Sequence, residues 1–443
     1  QEENKNDKSW KPWGCTHTHT HTHTHTNSLR NGKGITLVAL VVTIVVLLIL
    51  AGVSINLVLG ENGLITQAKE AREQTKTAEV NEKSQMDSAS DFISEAVNDT
   101  ELPQTNETKP YMPGDGFTKV EGTNLANGLT IQDSDGNQYV WVEVPKKVTV
   151  YPIAGLNITE FTIDDYIKIE DDLHQYTMSY RKGNKDTETA YKDEYIDGSD
   201  NPEFWFNGEE EYNKQKQRML KSVYENGGFW VGRYEAGIEQ IRMAKSEEIK
   251  YIPQSKKDLY PYTYITRAQA KVLSEKIKYG EYVGSLMFGV QWDLVLAFMH
   301  NKGKVSEDSI NKDSKNIGNY WDAQYTLNTG RYARLNELSK WYNYTENLNE
   351  IVENCTKKAQ NLQENAVLLT TGAATENSIM NIYDIAGNQW EWTLESATAS
   401  DRGYCASRGG SFGDYGARYP ASYRYGDNKT YSSETVTFRV SIY

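Results

Sequence analysis

The chain has 443 residues with 47 basic and 61 acidic side chains, a formal net charge of −14, and only seven histidines and three cysteines against 30 tyrosines. An acidic surface of this size argues against electrostatic capture of nucleic acid, so no nucleic-acid partner is expected. Five of the seven histidines lie in an alternating Thr-His tract at residues 16–26. Such a tract can bind metal, but strict alternation is also what a simple dinucleotide repeat encodes, and that is the preferred reading. Beyond it only His174 and His300 remain, a poor supply for a His-based triad or a multi-histidine metal centre.

In chain order the first element is Ile35–Leu59, 25 residues without a charge. As a helix it reaches roughly 37 Å, enough to cross a hydrocarbon core of about 30 Å. Arg30 and Lys33 precede it and the first charge after it is Glu61, so the bias of positive charge to the cytoplasmic side places the N-terminus inside. The expectation is a single-pass cell-membrane protein with an extracellular head at a bacterial surface. A secretory signal would have a shorter apolar core; a plain signal-anchor is the alternative. Lys33-Gly34-Ile35-Thr36-Leu37-Val38-Ala39-Leu40 resembles the leaders of prepilins, in which a basic stretch and a Gly precede an apolar helix. The resemblance implies cleavage after Gly34, so that 1–34 is a leader and 35–59 a pilin-like transmembrane helix, with pilin-like assembly as a further implication. Ala39 departs from that pattern, because type IV pilins carry Glu there for subunit assembly.

Residues 60–100 are rich in Ala, Glu, Lys and Gln and lack Pro, which predicts a stalk helix continuing out of the membrane. Phe92, Ile93, Ala96 and Val97 give it a short apolar stripe. Pro103, Pro110 and Pro113 with Gly114 and Gly116 break the pattern, so 101–116 reads as a linker. The remaining 117–443 is expected to be one head.

Within the head, Tyr139–Val144 and Thr435–Ile442 alternate as first and last strands, with Val436, Phe438, Val440 and Ile442 on one face. Gly228–Tyr234 is another strand. Helices are predicted over Thr266–Ile277, capped by Thr266, and over Gln291–His300. The stretches 155–226 and 301–365 are long, polar and Tyr-rich, and the acidic clusters Asp164-Asp165, Glu170-Asp171-Asp172 and Glu209-Glu210-Glu211 read as solvated surface. Cys355 and Cys405 could form one disulfide outside the cell, although spacing alone does not show their proximity.

Three blocks then make the head recognisable: Asn381-Ile382-Tyr383-Asp384-Ile385-Ala386-Gly387-Asn388-Gln389-Trp390-Glu391-Trp392-Thr393, Arg408-Gly409-Gly410-Ser411-Phe412, and Phe438-Arg439-Val440. In order and spacing they resemble the formylglycine-generating-enzyme (sulfatase-modifying factor) family, with Gly232-Arg233-Tyr234-Glu235-Ala236 and Gln291-Trp292 as earlier blocks. The resemblance implies an α+β class: a loop-rich variant of the C-type lectin fold over 117–443, following the N-terminal pilin-like helix. Gly387, Asn388, Trp390, Glu391, Trp392, Arg408, Gly409, Gly410, Arg424, Phe438 and Arg439 are its fold-defining residues here. Glycines permit tight backbone approach, and the two tryptophans bring large buried area to a loop-rich core.

The enzymes of that family oxidise a substrate cysteine with a copper-binding cysteine pair, soft sulfur ligands being suited to Cu(I). Those two positions fall on Gly416 and Ala421, so no enzyme activity and no redox cofactor are expected. The resemblance also implies a calcium ion near Asn388 and Glu391, whose oxygens are hard ligands; a buried hydrogen-bonding role for the pair is the alternative. Over Ser411–Glu434, Tyr, Ser and Gly make up half of the 24 residues, the composition of antibody-like binding loops. In this the chain resembles the target proteins of diversity-generating retroelements, which present a mutable face on a lectin-like fold. The candidate ligand contacts are Phe412, Asp414, Tyr415, Ala417, Tyr419, Ser422, Tyr423, Tyr425, Asp427, Asn428 and Tyr431. The expected partner is a protein or glycan on another cell, a phage or a host surface. A fixed adhesin face, a non-catalytic minor pilin or structural pseudoenzyme, and a formylglycine-generating-type oxidase are the other readings.

Overall fold

The computed structural model describes residues 102–181, 191–197, 202–325, 327, 329–343, 366–397 and 404–443, together with residues 42 and 44–46. The chain divides into two units, 1–80 and 81–443. In the first, residues 42 and 44–46 are helical and about half exposed. The leader, the rest of Ile35–Leu59, the stalk 60–100 and Cys355 lie outside the described residues. Among the described residues no helix is long and apolar enough to cross a membrane.

The described part of the second unit is built on two main sheets, with three smaller ones and helices packed around them. The larger is antiparallel, with strands in the order Thr118–Lys119, Thr130–Gln132, Gln138–Glu143, Gly228–Gly232, Val440–Ile442, Tyr282–Leu286 and Lys278–Tyr279. In the smaller, Cys405–Arg408 pairs with both Arg424–Asp427 and Trp390–Ala397, and Val436–Phe438 runs parallel to the start of Trp390–Ala397. Tyr191–Lys192 closes the far end of that long strand. The main core joins the two sheets through the helix Gly289–Asn301, of which only the last two residues escape full burial.

The mixed α+β class and the strands at 139–144 and 228–234 match the periodicity, and so do both predicted helices. Thr266 caps the helix Arg267–Ser274 by accepting from Gln269 N while the Gln269 side chain accepts from Thr266 N, a reciprocal box that satisfies two otherwise orphaned donors. The last stretch departs from expectation. It is two strands, Val436–Phe438 and Val440–Ile442, in different sheets, broken at Arg439. Thr437, Arg439 and Ser441 are as buried as the apolar residues between them, so the alternation marks an interior crossing rather than a half-exposed edge. Nor do the first and last strands touch: Gly228–Gly232 lies between them.

Residues 102–116, expected as a linker, are packed into the head. Thr108 Oγ1 donates to Gly227 O (2.9 Å) and accepts from Trp141 Nε1 (2.8 Å), and Trp230 Nε1 donates to Tyr111 O at 2.8 Å. Gly227 ends the helix Glu209–Asn226 in the left-handed conformation, and any Cβ there would overlap the Glu107 carbonyl. The stretch 155–226 also holds more structure than its polarity suggests, with helices Ile163–Tyr176 and Glu209–Asn226. Their acidic clusters have distinct tasks. Asp165 completes a capping box with Thr162, Asp172 is buried and accepts from Ile153 N and Ala154 N, and Glu209–Glu211 occupy a first turn, where the helix dipole favours negative charge.

Candidate functional site

Two linked turns position the C-terminal face. Asn388 is buried with a positive φ of 58°. Its Oδ1 accepts from Asn319 Nδ2 (2.8 Å) and Leu369 N (3.0 Å), and its Nδ2 donates to Glu235 Oε2 (2.7 Å). Gly387 N donates to Gly409 O at 2.8 Å and Phe412 N to Asn388 O at 2.9 Å, which bonds the turn before Trp390 to the turn after Arg408. A Cβ on Gly387 would overlap the Asn319 backbone.

Three buried arginines then pin the segment before, within and after its exposed part. Arg408 and Arg424 face each other across adjacent strands. Arg408 donates to Asp293 at 2.7 Å and reaches Glu395 at 3.5 Å; Arg424 donates to Glu395 at 2.9 Å and also to Asp293, which Arg181 joins at 3.2 Å. Arg439 holds Glu391 in a two-point ion pair and donates to Gly232 O (3.0 Å) and Tyr383 O (2.8 Å). Asn388 and Glu391 are therefore committed to protein partners and to different ones. The hydrogen-bonding role, not the calcium site, is what their geometry supports.

The residues between the pins sort clearly. Trp390, only 8% exposed, is the floor of an aromatic group: its ring lies 5.4 Å from Tyr419, 6.0 Å from Tyr423 and 5.4 Å from Tyr425. Two residues on, and so on the same side of the strand, Trp392 meets Tyr431 at 6.2 Å. Tyr415 lies 4.6 Å from Trp321. Of the four most exposed tyrosines among the described residues, Tyr415 (36%), Tyr425 (42%) and Tyr431 (37%) lie in this segment and Tyr404 (39%) just before it. Ala417 and Asn428 are exposed as well, and Tyr419, Tyr423 and Asp427 are half-buried.

Three expected contacts belong to the scaffold instead. Phe412 is buried against Ala366 and Leu368. Ser422 is buried and its carbonyl accepts from Arg408 at 3.3 Å. Asp414 accepts from Ser411 N (3.0 Å), Ser411 Oγ (2.6 Å) and Trp390 Nε1 (3.0 Å), which closes the turn beneath the face. Trp321 was invisible to sequence reasoning, lying in a stretch read only as polar and Tyr-rich. It reaches the face because its N–H donates to Asp414 O at 2.8 Å, a pairing with no local signal.

The two positions that the resemblance assigns to copper-binding cysteines do not fit that metal. Gly416 packs so closely on Lys315 that a side chain would overlap its backbone, and Ala421 is buried with its carbonyl accepting from Trp292 Nε1 at 3.0 Å. Cys405 is buried on its strand, facing Asp427 in register.

Several buried carboxyls hold protons unusually tightly. Burial, with Glu395 and Glu170 nearby, pushes Asp193 up to about 7; burial pushes Asp427 up to about 7 and Asp384 to about 6. Glu235 is driven well above its ordinary value by burial and by Asp384 and Glu391. A carboxyl whose folded pKa exceeds its unfolded value of about 3.9 contributes stability that is complete below the unfolded value and lost as pH rises through the folded one. For Asp293 burial opposes ionisation, yet Arg424, Arg408 and Arg181 hold it below the usual range, so its contribution is lost only at still lower pH. The melting temperature is therefore expected to fall from about pH 5 to about pH 8. Thermal melts across that window check this, and a rising curve would contradict it.

No curated protein matches the chain. Residues 288–442, which carry the Gly289–Asn301 helix, both linked turns and the whole aromatic face, match the family model described as Sulfatase-modifying factor enzyme 1-like domain.

Proposed function

We propose that the chain is a surface-displayed ligand-binding protein, tethered by Ile35–Leu59, whose head captures a ligand through the face formed by residues 411–434. The observation that carries this reading is the concentration of exposed tyrosine there: Tyr415, Tyr425 and Tyr431 stand outward on tryptophans that are themselves held by the scaffold. Tyr gives broad amphipathic contact at low entropic cost, and a rigid aromatic floor reduces that cost further. Wide contact of this kind suits a protein surface better than a small glycan. The three arginine pins lie outside or beneath the exposed positions, so contact residues can vary without touching the scaffold, as in a diversified receptor with a C-type lectin fold. Without thiolates at 416 and 421 the head acts by binding rather than by copper-dependent oxidation.

The test is a triple variant, Tyr415→Ala with Tyr425→Ala and Tyr431→Ala. Tyr423 is left in place because it is half-buried against Trp390. Aromatic anchors at interface centres cost about 2 kcal/mol or more each on truncation, so capture of surface proteins from neighbouring cells should drop by at least about a hundredfold. The melting temperature should change little. Undiminished capture by the triple variant, or copper-dependent oxygen consumption with a cysteine peptide, would sink the proposal. A nearby reverse transcriptase gene and a near-copy of the codons for 411–434 would test diversification separately.

A further inference from the structure

Away from that face, Glu170 and His174 sit one turn apart on the helix Ile163–Tyr176, on the same side. Asp193 comes to them from the strand end after Tyr191–Lys192, and one ligand atom from each of the three lies within 4.8 Å of the others. His174 Nε2 is buried and has no hydrogen-bond partner in the protein. Both Asp193 oxygens are oriented, Oδ1 by Gly289 N at 2.7 Å and Oδ2 by Val290 N at 2.8 Å, at the start of the Gly289–Asn301 helix. Lys216 is the counter-charge of Glu170. Its Nζ stands 3.0 Å and 2.9 Å from the two Glu170 oxygens and donates to Asp193 O at 2.8 Å.

We propose that Glu170, His174 and Asp193 form a binding site for a divalent first-row transition cation, zinc being the best match. A donor set of one imidazole nitrogen and two carboxylates is uncharacteristic of magnesium and calcium, which take oxygen ligands, and is ordinary for zinc. Ligands about 2.0–2.2 Å from a tetrahedral ion stand about 3.4 Å apart, a contraction of at most about 1.4 Å from the 4.8 Å limit, which side-chain rotation supplies. Asp193, already oriented by two backbone N–H groups, has the outer support that metal ligands require. Lys216 competes with the ion for Glu170. The site would fasten the 155–226 region to the domain that carries the face.

The experiment is a zinc titration of the detergent-solubilised full chain after chelation, with His17, His19, His21, His23 and His25 replaced by Ser so that the leader tract does not compete. One equivalent should bind at micromolar affinity or tighter and raise the melting temperature. Outer-shell changes cost about 10–100-fold in metal affinity, so His174→Ala should cost at least about a hundredfold. Lys216→Met removes a cation a few ångström from the metal, a repulsion worth more than about tenfold at an effective dielectric of about 20, and should tighten binding. Only His174 and His300 then carry imidazole signals, and zinc should shift those of His174 alone. This keeps the proposal testable if either variant fails to fold. Absence of a bound equivalent, equal affinity in His174→Ala, or shifts at His300 instead would overturn it.

Discussion

Asp293→Ala is expected to leave the head unfolded. Asp293 is fully buried on the Gly289–Asn301 helix and accepts from Arg181, Arg408 and Arg424, while Glu395 is the second carboxylate of the group. Removing it leaves three buried guanidinium groups facing one carboxylate. Breaking a buried pair from one side costs about 3–5 kcal/mol, because the remaining charge stays desolvated without compensation. Here three partners lose a contact at once, against a typical total of about 5–15 kcal/mol for a domain. The damage would not stay local, since Arg408 and Arg424 fix the two strands flanking the aromatic face and Arg181 ends the Met178–Arg181 helix. Urea denaturation followed by circular dichroism measures the effect. A variant within about 1 kcal/mol of the parent would mean that water reaches the group and carries part of its charge.

The same network shows what the sequence could and could not disclose. Arg408 and Arg439 were legible as scaffold because they stand in recognisable blocks, Arg424 only through the family resemblance, and the structure buries all three. Their carboxylate partners were not equally legible. Asp293 lies in the predicted Gln291–His300 helix, but helical periodicity reports which face is apolar and not which buried acid meets which arginine. The Thr266 cap, closed by local bonds, was read correctly, and so was the Tyr139–Val144 strand, whose run of β-formers is itself local. Features that depend on distant contacts were misread. Thr108 is fixed by Gly227 and Trp141, and the break at Arg439 is set by Glu391. The contact list for the face erred for a related reason. Phe412, Asp414 and Ser422 sit among exposed tyrosines in the chain, yet a turn held by Asn388 and Trp390 directs the first two inward and bonds to Ile310 and Arg408 hold Ser422.

Removing Thr435 to Tyr443 is expected to abolish cooperative folding altogether, the largest effect foreseen for any small change. Val440–Ile442 is not an edge. It pairs with Gly228–Gly232 on one side and Tyr282–Leu286 on the other, in the interior of the seven-stranded sheet. Val436–Phe438 pairs with Trp390–Glu391-Trp392 in the second sheet, so one deletion opens both. Val436, Phe438, Val440 and Ile442 are each at most 4% exposed, and full burial of such a side chain is worth about 1.5–3 kcal/mol. Arg439 leaves with them and strands Glu391 as a buried carboxylate without its counter-ion. The comparison that isolates this effect is the start of the head. A fragment of residues 102–443 should unfold in one cooperative step, and one of residues 117–443 should do so at lower denaturant, because it loses the Thr108 and Tyr111 contacts to Trp141 and Trp230. Neither should resemble the C-terminal deletion, which should show no cooperative transition. A cooperative transition in the deletion would mean that the two sheets hold together without the strands joining them, and that the assigned pairing of Val440–Ile442 is wrong.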